Sequence, residues 1–189
     1  MKIEEFNQRI SDAVLVADGA MGAFLYGLAG PQRSFEELSA TQPELIYRVH
    51  QSYIEAGAQI IETNTFSANR HKLAPLGLAD QVARLNSAGV KIAREARDAA
   101  AREVFVAGSI GPSGGIGLGR SLSDEELRAG FREQAAALED RGVDLFVLET
   151  FGDLDEIVAA IEAIRAFSNL PIIAEMTFSE EGQTLGGTR

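Results

Sequence analysis

The sequence predicts an α/β protein in which parallel strands alternate with crossover helices. Three observations carry this expectation. Short apolar runs recur near residues 14, 59, 104, 144 and 171, long amphipathic helical patterns fill most of the intervals, and several runs end in a small knot of polar residues. Parallel strands covered on both faces read as continuous apolar stretches, and polar groups at their C-terminal ends are where such folds place chemistry.

The elements follow in order. Residues 3–10 read as a short helix, and residues 14–17 as a buried strand running into Asp18-Gly-Ala-Met-Gly22, a glycine-punctuated turn. Thr41-Gln-Pro-Glu44 has capping-box spacing and opens a helix over about residues 42–56, stopped by Gly57. A strand over 59–63 follows at once, then a long helical pattern over 79–102 and a strand over 104–110. Ser123-Asp-Glu-Glu126 is a second capping box, opening a helix to about Arg141 that Gly142 ends. A strand over 144–149, a helix over 153–167 and a fifth strand over 171–178 complete the pattern. Strand starts separated by 45, 45, 40 and 27 residues make the strand and its crossover helix the repeating unit.

This alternation admits an open doubly wound sheet or a closed eight-stranded barrel, and periodicity does not choose between them. At about 38 residues per unit, eight units would need roughly 300 residues, a normal barrel size. In a barrel, these 189 residues make about the first five βα units.

Composition narrows the function. Twenty-eight Asp and Glu against 17 Lys and Arg give a net charge of −11 with no basic run, which excludes an electrostatic footprint for nucleic acid. No stretch of about 18 or more apolar residues or signal-peptide layout occurs, so no membrane partner and a cytoplasmic location are expected. Cys is absent, which removes disulfides and thiolate metal sites from these residues.

Asp18 stands where a strand meets Gly19 and Gly22, either facing a ligand or capping the turn. Glu149 follows four apolar residues at a strand mouth, where a carboxylate binds a cation such as an ammonium or pairs with a structural Arg or Lys. Thr63, Asn64 and Thr65 form a polar knot able to hold a carboxylate or amide, or to form an Asx turn, while Glu62 reads as a member of a structural pair. The run from Gly114 to Ser121 nearly matches a phosphate loop, but Arg120 replaces the Lys and the capped helix starts only near Ser123, so a loop bordering the strand ends is the plainer reading. His50 and His71 lack ligand spacing and suit surface or packing roles.

The series Asp18-Gly-Ala-Met-Gly22, Gln42-Pro-Glu44, Glu62-Thr-Asn-Thr-Phe66, Gly108-Ser-Ile-Gly-Pro112, Gln134, Asp144 and Glu149-Thr150 resembles the homocysteine S-methyltransferase family, in particular the homocysteine-binding module of cobalamin-dependent methionine synthase and of bacterial bifunctional homocysteine S-methyltransferase–methylenetetrahydrofolate reductase proteins. The resemblance runs from about Val14 to Thr188. It implies a (β/α)8 TIM barrel that transfers a methyl group to the sulfur of L-homocysteine to form methionine, with zinc on three Cys thiolates favouring the nucleophilic thiolate. It also implies substrate-binding roles for Asp18 and Glu149 near the amino group, with Gly19, Ala20, Asn64 and Thr150 bordering the same pocket. The family's three cysteines follow the sixth and eighth strands, so on this resemblance residues 1–189 are the N-terminal part of the barrel, truncated after strand 5. The metal ligands are expected beyond Arg189, no catalytic residue is expected within the chain, and methyl transfer by it alone is not expected. The methyl donor, methylcobalamin or another, is left open, as are further C-terminal domains. Two competing readings are a non-catalytic binding or assembly module closing by self-association, and a nucleotide-binding α/β protein using Gly114 to Ser121.

Overall fold

The computed structural model describes residues 3–114 and 122–188. Apart from Gly114, the loop that nearly matches a phosphate-binding pattern lies outside the described residues. Helices α1 (Ile3–Asp12), α2 (Met21–Ala29), α3 (Leu38–Thr41) and α4 (Pro43–Ala56) precede strand β1 (Ile60–Glu62). Then come α5 (Arg70–Leu73), α6 (Val82–Ala99), β2 (Phe105–Ile110), α7 (Asp124–Arg141), β3 (Leu145–Phe151), α8 (Leu154–Arg165) and β4 (Ile172–Met176). Two short 3₁₀ turns lie between α5 and α6.

The four strands form one parallel sheet in the order β1-β2-β3-β4. A doubly wound sheet reverses its strand order at a switch point; this one does not. Consecutive strands are always neighbours, which is how barrel strands are laid down and resolves the choice that periodicity leaves open: the architecture is part of a (β/α)8 barrel. The helices α4, α6, α7 and α8 likewise pack each against the next.

Side-chain alternation sorts the strands into two buried faces. Ile61, Val106, Phe146 and Leu148 join Val90, Phe131, Leu138 and Ile157 in the core between sheet and helices. Ile60, Phe105, Ala107, Leu145 and Val147 face the other way, covered at their N-terminal end by Phe6 of α1, whose ring stands edge-on to Phe105 at 5.4 Å and 83°. With both faces covered, the strands need apolar residues at every position, hence their legibility in the sequence.

Several expected boundaries hold for stated reasons. Gly57 and Gly142 stop α4 and α7 at φ of 121° and 97°, where a side chain would be strained. Ser123 accepts from the Glu126 amide while Glu126 bonds back to Ser123, the reciprocal cap expected for α7. Replacing Ser123 with Ala is expected to cost about 1 kcal/mol in urea unfolding, and an unchanged midpoint would deny the cap any energetic role.

Other expectations are corrected. Residues 14–17 are not a buried strand: they make one parallel bridge, Ala17 to Ile60, with Gln59 N–H donating to Val16 O at 2.7 Å, and Val14 and Val16 are 90% and 54% exposed. Leu15 alone packs on the inner face, because the segment pairs on one side only and nothing among the described residues covers the other. The capping box at Thr41 is not formed. Gln42 is the cap of α4, Pro43 opens the helix, and the Thr41 hydroxyl donates to Glu37 O within the preceding turn. The helical pattern over 79–102 divides into a 3₁₀ turn and α6, and β4 is a shorter, partly exposed edge strand.

Candidate active site

Alternation that places Ile60, Leu145 and Val147 on the inner face places Glu62 and Glu149 there as well, further toward the strands' C-terminal ends. Ser109 and Glu175 fall on the same parity in β2 and β4. Asp18 arrives beside them, its backbone amide donating to Ile60 O at 2.9 Å and both carboxylate oxygens accepting from the Glu62 amide at 3.2 and 3.0 Å. Asp18, Glu62, Ser109 and Glu149 form the floor of a cavity of about 850 Å³ whose walls come from the start of α2, residues 32–36, the turn after β1 and α5, while Glu175 is exposed on the edge strand outside its lining. Such a volume accommodates more than one small ligand.

Among the described residues, the floor is an acidic cluster without a cation in contact. Burial first, and then the Glu149 charge, push the Asp18 carboxyl up to about 7 against the opposing pull of its backbone hydrogen bonds. Glu62 is pushed up to about 9 by burial, by the charges of Glu149 and Asp18, by a hydrogen bond shared with Glu149 and by Glu175. Glu149 accepts from the Ser109 hydroxyl at 2.5 Å. Thr150, next in line, sits at φ 62°, the left-handed region that a β-branched residue avoids, at the irregularity where the β3–β4 register shifts. Strain of about 1–3 kcal/mol of this kind persists where the surroundings impose it, and clusters at functional sites.

The polar knot after β1 is mostly internal scaffolding. The Ser109 amide donates to Thr63 Oγ1 at 3.1 Å, the Thr63 and Thr65 hydroxyls lie 2.6 Å apart, and Thr65 donates to Ser109 O at 2.8 Å, a closed circuit locking β1 to β2. Gln134 of α7 donates to Thr65 O at 2.8 Å. A side chain at Gly89 would come within 2.7 Å of Thr65 Cγ2, so α6 approaches this turn as closely as it does only because residue 89 is glycine. Asn64 lines the cavity, but its amide donates to Phe35 O at 2.8 Å and Ser39 Oγ at 3.0 Å, tying the wall to the floor.

Asp18, Gly19, Ala20, Asn64, Glu149 and Thr150, the six residues expected at the site, all line this one cavity. Glu62 joins them as a member of the floor. Strand parity carried that signal: with Ile61 outward, Glu62 must share the inward face of Ile60. Glu36 had no sequence signal. It is 7% exposed and clamps the wall, accepting from the Ser67 amide at 2.9 Å and the Ser34 hydroxyl at 2.6 Å, partners that only tertiary structure brings together. Tyr53 supports the Gly19–Ala20 turn, its hydroxyl donating to Ala20 O at 3.3 Å. On the wall, Arg33 forks onto Glu37, while Lys72 forms no ion pair among the described residues.

The histidines stand apart from the floor. His50 is fully buried with neither ring nitrogen hydrogen-bonded, and burial lowers it to about 4, so it packs as the neutral ring. His71 contacts Glu126 O at 3.0 Å. Among the described residues no group of three or more His, Cys, Asp or Glu could hold a metal ion, and no helix is long and apolar enough to cross a membrane. The donor set of this chain, without Cys, does not fit a thiolate-bound zinc ion.

Comparison with known proteins bears on this cavity. A family model described as homocysteine S-methyltransferase matches residues 15–189. Methionine synthase of Mycobacterium tuberculosis (strain ATCC 25618 / H37Rv) is 31% identical over 194 residues, covering 95% of this chain, and that of Mycobacterium leprae (strain TN) is 30% identical over 96% of it. The chain spans 16% of the length of each of these relatives. Among solved structures, the homocysteine methyltransferase MmuM from Escherichia coli is similar in its oxidized form, with a TM-score of 0.83, 30% identity and coverage of 95% of this chain and 68% of that one. Its metallated form gives 0.82 and 30%, with coverage of 97% and 70%.

Proposed function

The chain belongs to the homocysteine S-methyltransferase family, and on that premise we propose that its cavity binds L-homocysteine, whose sulfur receives a methyl group in the protein as a whole to give methionine. The observation that carries the reading is the half-buried floor of Asp18, Glu62 and Glu149, acidic and without a cation in contact among the described residues. An ammonium supplies the missing positive charge and three donors, and charge-assisted bonds of this kind are among the strongest available.

Asp18 and Glu149 receive the amino group, with Ser109 and the Glu62 amide orienting their carboxylates. The substrate carboxylate is placed against the Gly19–Ala20 turn, where α2 begins without a side-chain cap and leaves first-turn N–H groups for an anion. Asn64 and Glu36 act through the wall, holding residues 34–39 against the turn after β1. Thr150 borders the amino-group end. The side chain is thereby aimed away from the acids, which keeps the sulfur clear of groups that would repel a thiolate.

A metal holding the sulfur is part of this proposal for the protein as a whole. Zinc there would acidify the thiol. The residues described do not supply its ligands, so no step here runs through it.

The test is calorimetric titration with L-homocysteine and with 4-mercaptobutyrate, the same molecule without its amino group. Binding of the amino acid at 1:1 and at least 10-fold loss for the deaminated analogue are expected, since a charged hydrogen bond contributes about 1.5–3 kcal/mol. Equal binding of the two, or none of either, would remove this function.

A further inference from the structure

Above the acidic floor stands a ring that serves no core. Phe66, in the turn after β1, is half-buried and lines the cavity. Among the described residues it joins none of the four apolar clusters of the fold and pairs with no other aromatic ring. A phenyl ring without such partners still has a large apolar area to cover. One side of it rests on Gly111, just past the end of β2. The Gly111 amide donates to Phe66 O at 2.9 Å, and a Cβ on residue 111 would stand 2.4 Å from Phe66 Cε2 and 2.7 Å from both Cδ2 and Cζ. Three ring atoms lie where a side chain would begin, so the ring is stacked on main chain and keeps its place only because residue 111 is glycine.

The strand sets the ring's height above the floor. Ser109, whose hydroxyl binds Glu149, belongs to the floor, and Gly111 is two residues further along the chain. At about 3.3 Å per residue, Gly111 and the ring upon it stand roughly 7 Å past Ser109. A ligand whose ammonium sits on the floor and whose side chain points toward the cavity mouth must pass that ring.

We infer that the open face of Phe66 is the seat for the side chain of the bound amino acid, which makes Phe66 a specificity-determining residue for apolar side chains and Gly111 the residue that positions it. The inference rests on the amino-acid binding proposed above. A ring backed by main chain cannot retreat from a ligand, so methylene groups laid along it lose their water against a fixed surface. A thiol or thioether sulfur gains a favourable contact with the same ring.

L-Norvaline, which carries a methyl group where homocysteine carries its thiol and offers no side-chain ligand to a metal, and L-alanine, which ends short of the ring, are the probes. Calorimetry on the intact protein is expected to show norvaline binding roughly 10-fold tighter than alanine, and Phe66→Ala to cut that ratio to about 2-fold while leaving alanine binding unchanged. Gly111→Ala, which forces the ring off its place, is expected to weaken norvaline but not alanine, and to have no further effect in the Phe66→Ala background. Phe66→Leu keeps apolar bulk without the ring and gives the same comparison, with a smaller fall in the ratio, should the Ala variant not fold. An unchanged norvaline-to-alanine ratio, or equal loss of both ligands, takes Phe66 out of the seat. Additive effects in the double variant overturn the role of Gly111. A wild-type protein that binds neither these ligands nor L-homocysteine overturns the proposed function and this inference together, whereas homocysteine binding with no preference for norvaline over alanine overturns the inference alone.

Discussion

Glu149→Gln is expected to weaken L-homocysteine binding by roughly 10- to 100-fold, the 1.5–3 kcal/mol of a hydrogen bond to a charged group. The substitution keeps the size of the side chain and an oxygen for the Ser109 hydroxyl, which donates at 2.5 Å. It removes a carboxylate from the floor of the cavity. Calorimetry on wild type and variant gives the comparison, with circular dichroism to confirm that β3, buried on both faces, retains its fold. An unchanged dissociation constant would take Glu149 out of the amino-group site. Loss of affinity for 4-mercaptobutyrate in equal measure would mean that the substitution damages the cavity rather than the ammonium contact.

The second large effect is on stability. Without ligand, the protein is expected to lose roughly 3 kcal/mol of unfolding free energy between pH 6.5 and 9, read from urea midpoints across that range. The direction follows from where protons sit. Glu62 titrates at about 9 when folded against 4.5 ordinarily, and Asp18 at about 7 against 3.8, so the native state holds protons that the unfolded chain has released. Raising the pH through the folded values strips them and leaves half-buried charge uncompensated. Below pH 6.5 the neutral, buried His50 works the other way: with a folded value of about 4 against 6.5, it disfavours the native state as the unfolded chain takes up its proton. Between about pH 4.5 and 6.5 the single proton of His50 offsets only part of the effect of the two acids, so the decline is shallower there and reaches its full slope above that window. Glu62→Gln should flatten the alkaline decline. A wild-type protein whose midpoint is level from pH 6.5 to 9 would contradict the half-buried acidic floor.

What the sequence made legible, and what it hid, divides along physical lines. β2 and β3 are readable because burial on both faces demands uninterrupted apolar residues, and α7 because its cap is local. The segment at 14–17 has the same apolar composition but pairs along one edge, and burial depends on neighbours that composition does not reveal. Helix α2 went unseen because Gly22 and Gly27 lie inside it, and glycine normally signals a break. In the cavity, Glu149 was readable from its place at a strand end, whereas Asp18 follows a segment that makes a single bridge rather than a buried strand. Glu62 was within reach through parity, since its neighbour Ile61 is the outward residue. Glu36 was not, because its two donors, Ser34 and Ser67, are brought together only by folding. Gln134 and Asp144, prominent in the resemblance, prove to be supports: Gln134 donates to Thr65 O, and Asp144 accepts from the Val106 amide at 2.8 Å while pairing with Arg97.

The sequential strand order also governs how the molecule comes into being. Each strand docks on the one synthesised just before it, so a chain leaving the ribosome N-terminus first never waits for a distant partner to pair the next piece. The acids of the floor emerge in the same sequence: Asp18 with the first segment, Glu62 with β1, Glu149 only after α7 has followed β2 into place. A nascent chain stalled before β3 therefore already carries the two acids joined through the Glu62 amide, yet lacks the third. Ligand affinity, followed on ribosome-bound chains of increasing length, becomes a clock for the docking of β3.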